Sequence, residues 1–166
     1  TGLPGVSSGA VTGEAVFTEQ AAEQCCRDGR PCILIRNDAS AADLQGIAAA
    51  DGLICLEGGA SSHVVEICRP LNRTCIVGAK LSGLSLVKRE AKEEMHEAVS
   101  WAVYDSFWKL VIVEGQIITL DGLTGRILNG PVGVISVSAC FLLFSSQPLL
   151  ALLSYVHSTT LCLTEF

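Results

Sequence analysis

The residues best placed to do chemistry lie in the run GGASSH at positions 58–63. The apolar run at residues 53–56 is typical of a buried strand, and the two glycines that follow can adopt backbone angles closed to other residues. The pattern therefore predicts a strand that ends abruptly in a double-glycine turn and leads into a short helix with His63 at its start.

A histidine at that place can carry a phosphoryl group. Ser61 or Ser62 can cap the helix, and three apolar residues then share one helical face: Val64, Val65 and Cys68. A helix N-terminus stabilises anions and disfavours imidazolium, which keeps His63 neutral and nucleophilic. The alternative is a strand-to-helix loop with an incidental histidine, and spacing alone leaves both open.

Residues 58–69, GGASSHVVEICR, resemble the phosphohistidine signature of the phosphoenolpyruvate-utilising enzymes. That family includes pyruvate, phosphate dikinases, phosphoenolpyruvate synthases and the sugar-phosphotransferase enzyme I. The positions that match its pattern are Gly58, Gly59, Ser61, Ser62, His63 and Arg69.

The resemblance extends over most of residues 1–132, from GLPGVSSGAVTGEAVF to EGQIITLDGLTGRILNG. The Leu-Pro opening, the Asp43-Leu44 segment with Gly46, and Cys75 favour the dikinase branch. The resemblance implies an α/β fold, the swivelling β/β/α phosphohistidine domain, with helices packed on a compact sheet. We expect residues 1–132 to form this domain and residues 133–166 to be an apolar tail outside it.

The resemblance also implies a phosphoryl relay. His63 would accept a phosphoryl group from a nucleotide-derived donor and pass it to pyruvate, forming phosphoenolpyruvate, or run in reverse. The supporting residues would be Ser61, Ser62, Gly58, Gly59 and Arg69, and Ser61 also occupies the place of a regulatory phosphorylated threonine. Arg69 could equally be a cation that satisfies the helix C-terminus.

The complete enzyme implied by the resemblance needs partners that these 166 residues do not supply. They are a nucleotide-binding ATP-grasp domain and a barrel domain that binds phosphoenolpyruvate or pyruvate. No His, Cys, Asp and Glu cluster has metal-ligand spacing, so we expect this domain to bind no cofactor, with Mg²⁺ and ATP held elsewhere. Because the chain begins at Thr1 without Met, directly on the opening motif, we expect a fragment of a longer protein.

Departures from the family pattern keep other functions open. Glu66 replaces an apolar residue, and its charge would either oppose a bound phosphoryl group or pair with Arg69. Pro70 and Asn72 stand where glycines are usual. One alternative is a non-catalytic remnant or interaction domain of the same fold; another is a carrier of the phosphoenolpyruvate synthase or enzyme I type.

Composition narrows the partners and the compartment. A net charge of −6 with scattered basic residues argues against a nucleic-acid surface. Eight cysteines without C-x-x-C spacing lie largely in apolar runs, which indicates reduced thiols and a reducing compartment. We expect a cytoplasmic protein, with a plastid or other organelle left open by the missing native N-terminus.

Periodicity and breaker residues predict elements that alternate first and become strands at the end. Thr18 caps a helix over residues 19–27, and Ser40 with Asp43 approximates a capping box for a helix ending near Ala50. Glu114-Gly115 predicts a hairpin between its flanking strands. The predicted strands are 10–17, 32–35, 53–56, 75–77, 110–113, 116–120 and 126–128.

Two segments fall outside the family pattern. Apolar residues recur at helical spacing between Leu84 and Ala102, which predicts an amphipathic helix within an insertion at about residues 81–109. We interpret its charges and His96 as a solvated face, with a docking helix as the alternative.

The tail has no charged residue from position 132 to 156, a length that could span a membrane. Ser145 to Pro148 interrupts it and no basic flank orients it, so we favour an extraneous extension over a membrane anchor. His157 has no partner chemistry near it.

Overall fold

The computed structural model describes residues 3–4, 9–38, 43–59, 63–89, 100–137 and 159–162. The elements in order are β1 (Leu3–Pro4), β2 (Ala10–Val16), α1 (Glu19–Asp28), β3 (Cys32–Arg36), α2 (Leu44–Ala49), β4 (Gly52–Cys55), α3 (His63–Cys68), β5 (Thr74–Val77), a 3-10 helix (Ala79–Ser82), β6 (Ser85–Arg89), β7 (Ser100–Tyr104), β8 (Leu110–Val113), β9 (Ile117–Asp121), β10 (Arg126–Asn129), β11 (Val134–Val137) and β12 (Thr159–Cys162).

Seven of these strands form one mixed sheet in the order β1-β5-β4-β3-β2-β9-β10. The central strands β2, β3, β4 and β5 are parallel, whereas β1, β9 and β10 pair antiparallel. A separate antiparallel sheet has the order β6-β7-β8. Parallel strands need crossover connections, and α1, α2 and α3 supply them between successive central strands.

The seven-stranded sheet is covered on both faces. Cys32 and Leu34 of β3 pack with the helices, while Ile33 and Ile35 belong to the core shared with β7 and β8, and all four side chains are fully buried. Such double burial is why β3 is a continuous apolar run without alternation. The layers are therefore helices, a large sheet and a small sheet, which confirms the predicted β/β/α class.

The first helix follows its predicted boundaries closely. Thr18 Oγ1 accepts a hydrogen bond from the Ala21 backbone N–H at 3.2 Å, and the helix ends at Asp28, before Gly29. Ala22 and Cys25 bury the inner face. The capping residue and the apolar spacing predicted from sequence are thus confirmed.

The predicted capping box at the second helix is wrong for Asp43. Asp43 stands at the N-cap of α2 without a side-chain cap hydrogen bond, and its carboxylate instead accepts a hydrogen bond from Arg36 at 2.7 Å. Ser40 lies outside the described residues. The buried carboxylate binds the guanidinium because a charge held away from water needs a charged partner.

The amphipathic helix predicted within residues 81–109 is also wrong in the part that is described. β6 and β7 occupy that segment, and residues 90–99, with His96, lie outside the described residues. Leu84, Leu86, Trp101 and Val103 pack into the core shared by the two sheets, at the two-residue spacing of strands. The helical spacing of apolar residues extends across the charged stretch, but burial against the large sheet decides the conformation, and it requires strands.

The turn at Gly115 exists, but the predicted hairpin does not. β8 pairs with β7, and β9 pairs with β2 and β10. The Gly115 N–H donates to the Ala15 carbonyl at 2.9 Å, and the Ala15 N–H donates to the Gln116 carbonyl at 2.8 Å. The chain therefore crosses from one sheet to the other at this turn.

In the tail, β11 and β12 form an antiparallel pair, and residues 138–158 and 163–166 lie outside the described residues. Within the described part of the chain, no helix is long and apolar enough to cross a membrane. The origin of the tail and the domain boundary near residue 132 stay predictions.

The cysteines whose side chains are described are all free thiols. Five of them are buried and Cys26 is exposed. The buried ones are Cys25, Cys32, Cys55, Cys68 and Cys75. Burial raises the pKa of the Cys32 thiol to about 12. The prediction of buried, reduced thiols is confirmed for these five and is wrong about burial for Cys26.

Gly13 marks the closest backbone approach between β2 and the chain entering β3. A Cβ there would lie 2.8 Å from the Pro31 carbonyl oxygen and 2.9 Å from the Cys32 nitrogen. We predict that Gly13→Ala lowers the free energy of unfolding by about 1–3 kcal/mol, because the two strands must separate. Urea denaturation measures it, with Gly133→Ala, which has open space, as the control. Equal stability of the two variants would contradict this packing.

Candidate functional site

The candidate site lies at the edge where the parallel strands β3, β4 and β5 have their carboxyl ends. The chain leaves β4 through Leu56 and Glu57, and Gly58 turns it with a φ of 89°, a left-handed conformation that glycine adopts without strain. His63 then begins α3. The predicted sequence of strand, glycine turn and helix is confirmed.

The helix α3 is held by its apolar face. Val64, Val65 and Cys68 are buried in the helix-side core, as predicted. Cys68 also hydrogen-bonds the thiol of Cys75 on β5, and that bond together with burial raises the pKa of Cys75. The polar start of the helix is left in solvent, where the side chain of His63 is 64% exposed.

Glu66 contacts His63 rather than Arg69. Its Oε2 lies 3.5 Å from His63 Nδ1, within ion-pair range across one helical turn. A carboxylate beside Nδ1 favours the tautomer with the proton on that nitrogen, which leaves the lone pair of Nε2 free. The predicted pairing of Glu66 with Arg69 is therefore replaced by a contact with the imidazole, and the effect of its charge on a phosphoryl group stays a prediction.

The other predicted site residues are distributed unevenly around His63. Gly59 borders open space, since a Cβ there would meet nothing within 4 Å. Arg69 is exposed and follows the last residue of α3, at the opposite end of the helix from His63. Ser61 and Ser62 lie outside the described residues, so their capping, phosphate-binding and regulatory roles stay predictions, as does a phosphate contact by Arg69.

The helix is too short for a large dipole. α3 spans six residues, fewer than two turns, so its N-terminus offers individual N–H groups rather than a long row of aligned peptides. The helix dipole at the N-terminus of α3, which the sequence predicts to stabilise anions, is therefore small.

One departure from the family pattern is accommodated by the backbone. Asn72 adopts a left-handed φ of 51° in the turn after α3. Asparagine enters this region more readily than most other non-glycine residues, so Asn72 fits the turn without a glycine.

Sequence reasoning missed the polar residues that surround the exit of β4. The Glu57 carboxylate accepts hydrogen bonds from Lys80 Nζ at 2.8 Å and from Asn37 Nδ2 at 3.2 Å. The hydrogen bond from Lys80 lowers the pKa of Glu57. The available signal was positional: each of the three residues follows a strand of the parallel set, and such ends meet at one edge.

Within the described part of the chain, no three His, Cys, Asp or Glu side chains are grouped so that they could hold a metal ion. The chemistry this site offers is that of an exposed imidazole with one carboxylate in ion-pair range of its Nδ1.

Residues 29–125 match the family model described as PEP-utilising enzyme, mobile domain. With the β/β/α layers and the exposed His63, this defines the class of protein: the chain belongs to the mobile-domain family of PEP-utilising enzymes.

Curated relatives of this chain include several pyruvate, phosphate dikinases. The one from Rhizobium meliloti is 33% identical over 80% of this chain, and the one from Entamoeba histolytica is 32% identical over 79%. Pyruvate, phosphate dikinase 1, chloroplastic, from Arabidopsis thaliana is 32% identical over 78%. The chain spans 12–13% of the length of these three relatives.

We predict that Glu66→Ala changes the tautomer of the neutral His63 ring. Loss of the carboxylate lowers the ratio of the Nδ1–H to the Nε2–H form by about two- to fivefold, as expected for an exposed charged pair. Nitrogen-15 chemical shifts of the His63 ring measure this ratio. Glu114→Gln removes a charge from an exposed turn and serves as the control; identical ring shifts in Glu66→Ala and the unsubstituted chain would contradict the assignment.

Proposed function

We propose that this chain is the phosphoryl-carrier domain of a dikinase-like phosphotransferase and that His63 accepts the phosphoryl group. The observation that carries the proposal is the setting of His63: an exposed imidazole at the start of a helix whose apolar face is buried, four residues after Gly59, with Nδ1 facing Glu66. Membership of the mobile-domain family and the dikinase names of the relatives support it.

The proposed transfer needs only the lone pair of a neutral ring nitrogen. Nε2 attacks the phosphorus of the donor; an N–P bond forms, and the donor's P–O bond breaks with its electron pair on the leaving oxygen. In the second transfer the enolate oxygen of pyruvate attacks phosphorus, forming a P–O bond and returning the N–P electron pair to His63. Such transfers depend on positioning and charge stabilisation more than on covalent help from the protein.

ATP and Mg²⁺ are proposed to act elsewhere in the complete enzyme. The described residues do not fit a metal site, since they lack a cluster of suitable ligands. We assign nucleotide binding to an ATP-grasp domain and pyruvate binding to a barrel domain, consistent with relatives about eight times as long as the matched region. The reducing compartment predicted from the cysteines is part of the same proposal.

One observation supports the alternative, a non-catalytic remnant of the same fold. Glu66 places a carboxylate one turn from the nucleophile, where it would repel a phosphoryl group that approached Nδ1. An approach at Nε2, on the other side of the ring, lessens this conflict. The dikinase names of the relatives favour that branch over a synthase or enzyme I type of carrier.

We predict that the chain takes up an acid-labile phosphoryl label at His63. The donor is ³²P-phosphoenolpyruvate with a dikinase relative whose own carrier histidine has been replaced. His63→Ala abolishes the label because the nucleophile is gone, whereas His96→Ala and His157→Ala, the other two histidines, retain it. Label that persists in His63→Ala, or an unlabelled chain with a donor that labels an intact carrier domain, would favour the remnant.

A further inference from the structure

Three neighbouring loops at the carboxyl edge are joined through the residue that precedes the glycine turn. The Glu57 N–H donates to the Asn37 carbonyl at 2.7 Å, and the Glu57 carbonyl accepts from the Gly78 N–H at 3.4 Å. These backbone bonds continue the ladders of β3, β4 and β5 beyond their ends. They align Glu57 with the loops that follow β3 and β5.

The side chain of Glu57 ties the same two loops a second time. Its Oε1 accepts from Asn37 Nδ2 at 3.2 Å on one side and from Lys80 Nζ at 2.8 Å on the other. Lys80 is itself held by its backbone N–H, which donates to the Leu56 carbonyl at 2.8 Å. One carboxylate oxygen therefore bridges three loops, and the next residue along the chain is Gly58.

This bridge is poorly suited to stabilising the fold. The Lys80 side chain is 60% exposed and that of Glu57 is 41% exposed, and ion pairs in such settings contribute little to unfolding free energy. Its location is specific, because Gly58 and Gly59 are the most permissive joint between β4 and α3. An anchor before that joint limits the directions in which the chain can leave towards His63.

We propose that Glu57 is a positioning residue for His63. Its carboxylate anchors the start of the glycine turn to Asn37 and Lys80, so that the imidazole is presented to a partner domain in one orientation. The expected effect on phosphoryl transfer rests on the proposed carrier function. The geometry of the anchor rests only on hydrogen bonds within this chain.

The chain supplies a matched control at the opposite edge of the same two strands. Asp51 directly precedes β4 and Arg73 directly precedes β5, and Arg73 Nη1 lies 3.0 Å from Asp51 Oδ1. This pair links the amino ends of β4 and β5, as Glu57 and Lys80 link their carboxyl ends. Breaking it disturbs the same strands without touching the glycine turn.

The first test measures amide hydrogen exchange in Glu57→Gln, Lys80→Met, the double variant and Arg73→Met. We expect exchange at the hydrogen-bonded amides of Glu57, Gly78 and Lys80 to accelerate about three- to tenfold in the first two variants and no further in the double variant. Arg73→Met leaves these amides unchanged. Unchanged exchange in Glu57→Gln, or equal acceleration in Arg73→Met, overturns the anchor.

The second test measures transfer of the phosphoryl label from the dikinase donor and, separately, from phosphoramidate, a small reagent that needs no docking. We expect Glu57→Gln to slow enzymatic transfer about three- to tenfold and to leave the phosphoramidate rate unchanged, as orientation matters only for a docked donor. Equal enzymatic rates in Glu57→Gln and the unsubstituted chain overturn the inference alone. Failure of the unsubstituted chain to take any label overturns the proposed function, while the exchange test still decides the anchor. An additional loss in the double variant would make Lys80 an independent phosphate contact and overturn the bridge.

Discussion

The described fold depends on burying the parallel strands β3, β4 and β5 on both faces at once. In β3 the side chains alternate between the helix layer and the small sheet, and each of Cys32, Ile33, Leu34 and Ile35 is fully buried. Backbone groups in such strands can be satisfied only by neighbouring strands, so register and direction are tightly specified. The parallel direction brings the carboxyl ends together, and this sets where the loops after β3, β4 and β5 meet.

The candidate site uses that rigid edge to hold one exposed side chain. Apolar burial of Val64, Val65 and Cys68 fixes the helix that carries His63, while the imidazole stays in solvent. One face of this six-residue helix is therefore fixed by burial, while the other face holds His63 in solvent. Two polar contacts lie beside this side chain: Glu66 faces His63 Nδ1, and Glu57 ties the preceding turn to the neighbouring loops.

The local parts of this arrangement were predictable. The Thr18 cap, the strand at residues 53–56, the turn at Gly58 and the buried face of α3 each depend on residues close in sequence. The errors share a different cause. The apolar spacing between Leu84 and Ala102 predicts a helix because it fits that period as well as a strand's. The Glu114-Gly115 turn predicts a hairpin because its flanking strands are adjacent in sequence. In both, contacts with strands far along the chain decided the outcome, as the pairing of β9 with β2 shows.

The apolar run and the glycine turn beside His63 are local properties of GGASSH and its flanks, and they could be predicted from neighbouring residues alone. The resemblance of residues 58–69 to the phosphohistidine signature made His63 the candidate nucleophile and implied the class of fold. Only the tertiary structure decided which side chains surround it. Glu66 turned to His63 instead of Arg69, Asp43 bound Arg36 instead of capping a helix, and Glu57 met Asn37 and Lys80. Each of these depends on which groups of opposite charge come within reach when distant segments pack, and no spacing along the chain specifies that distance.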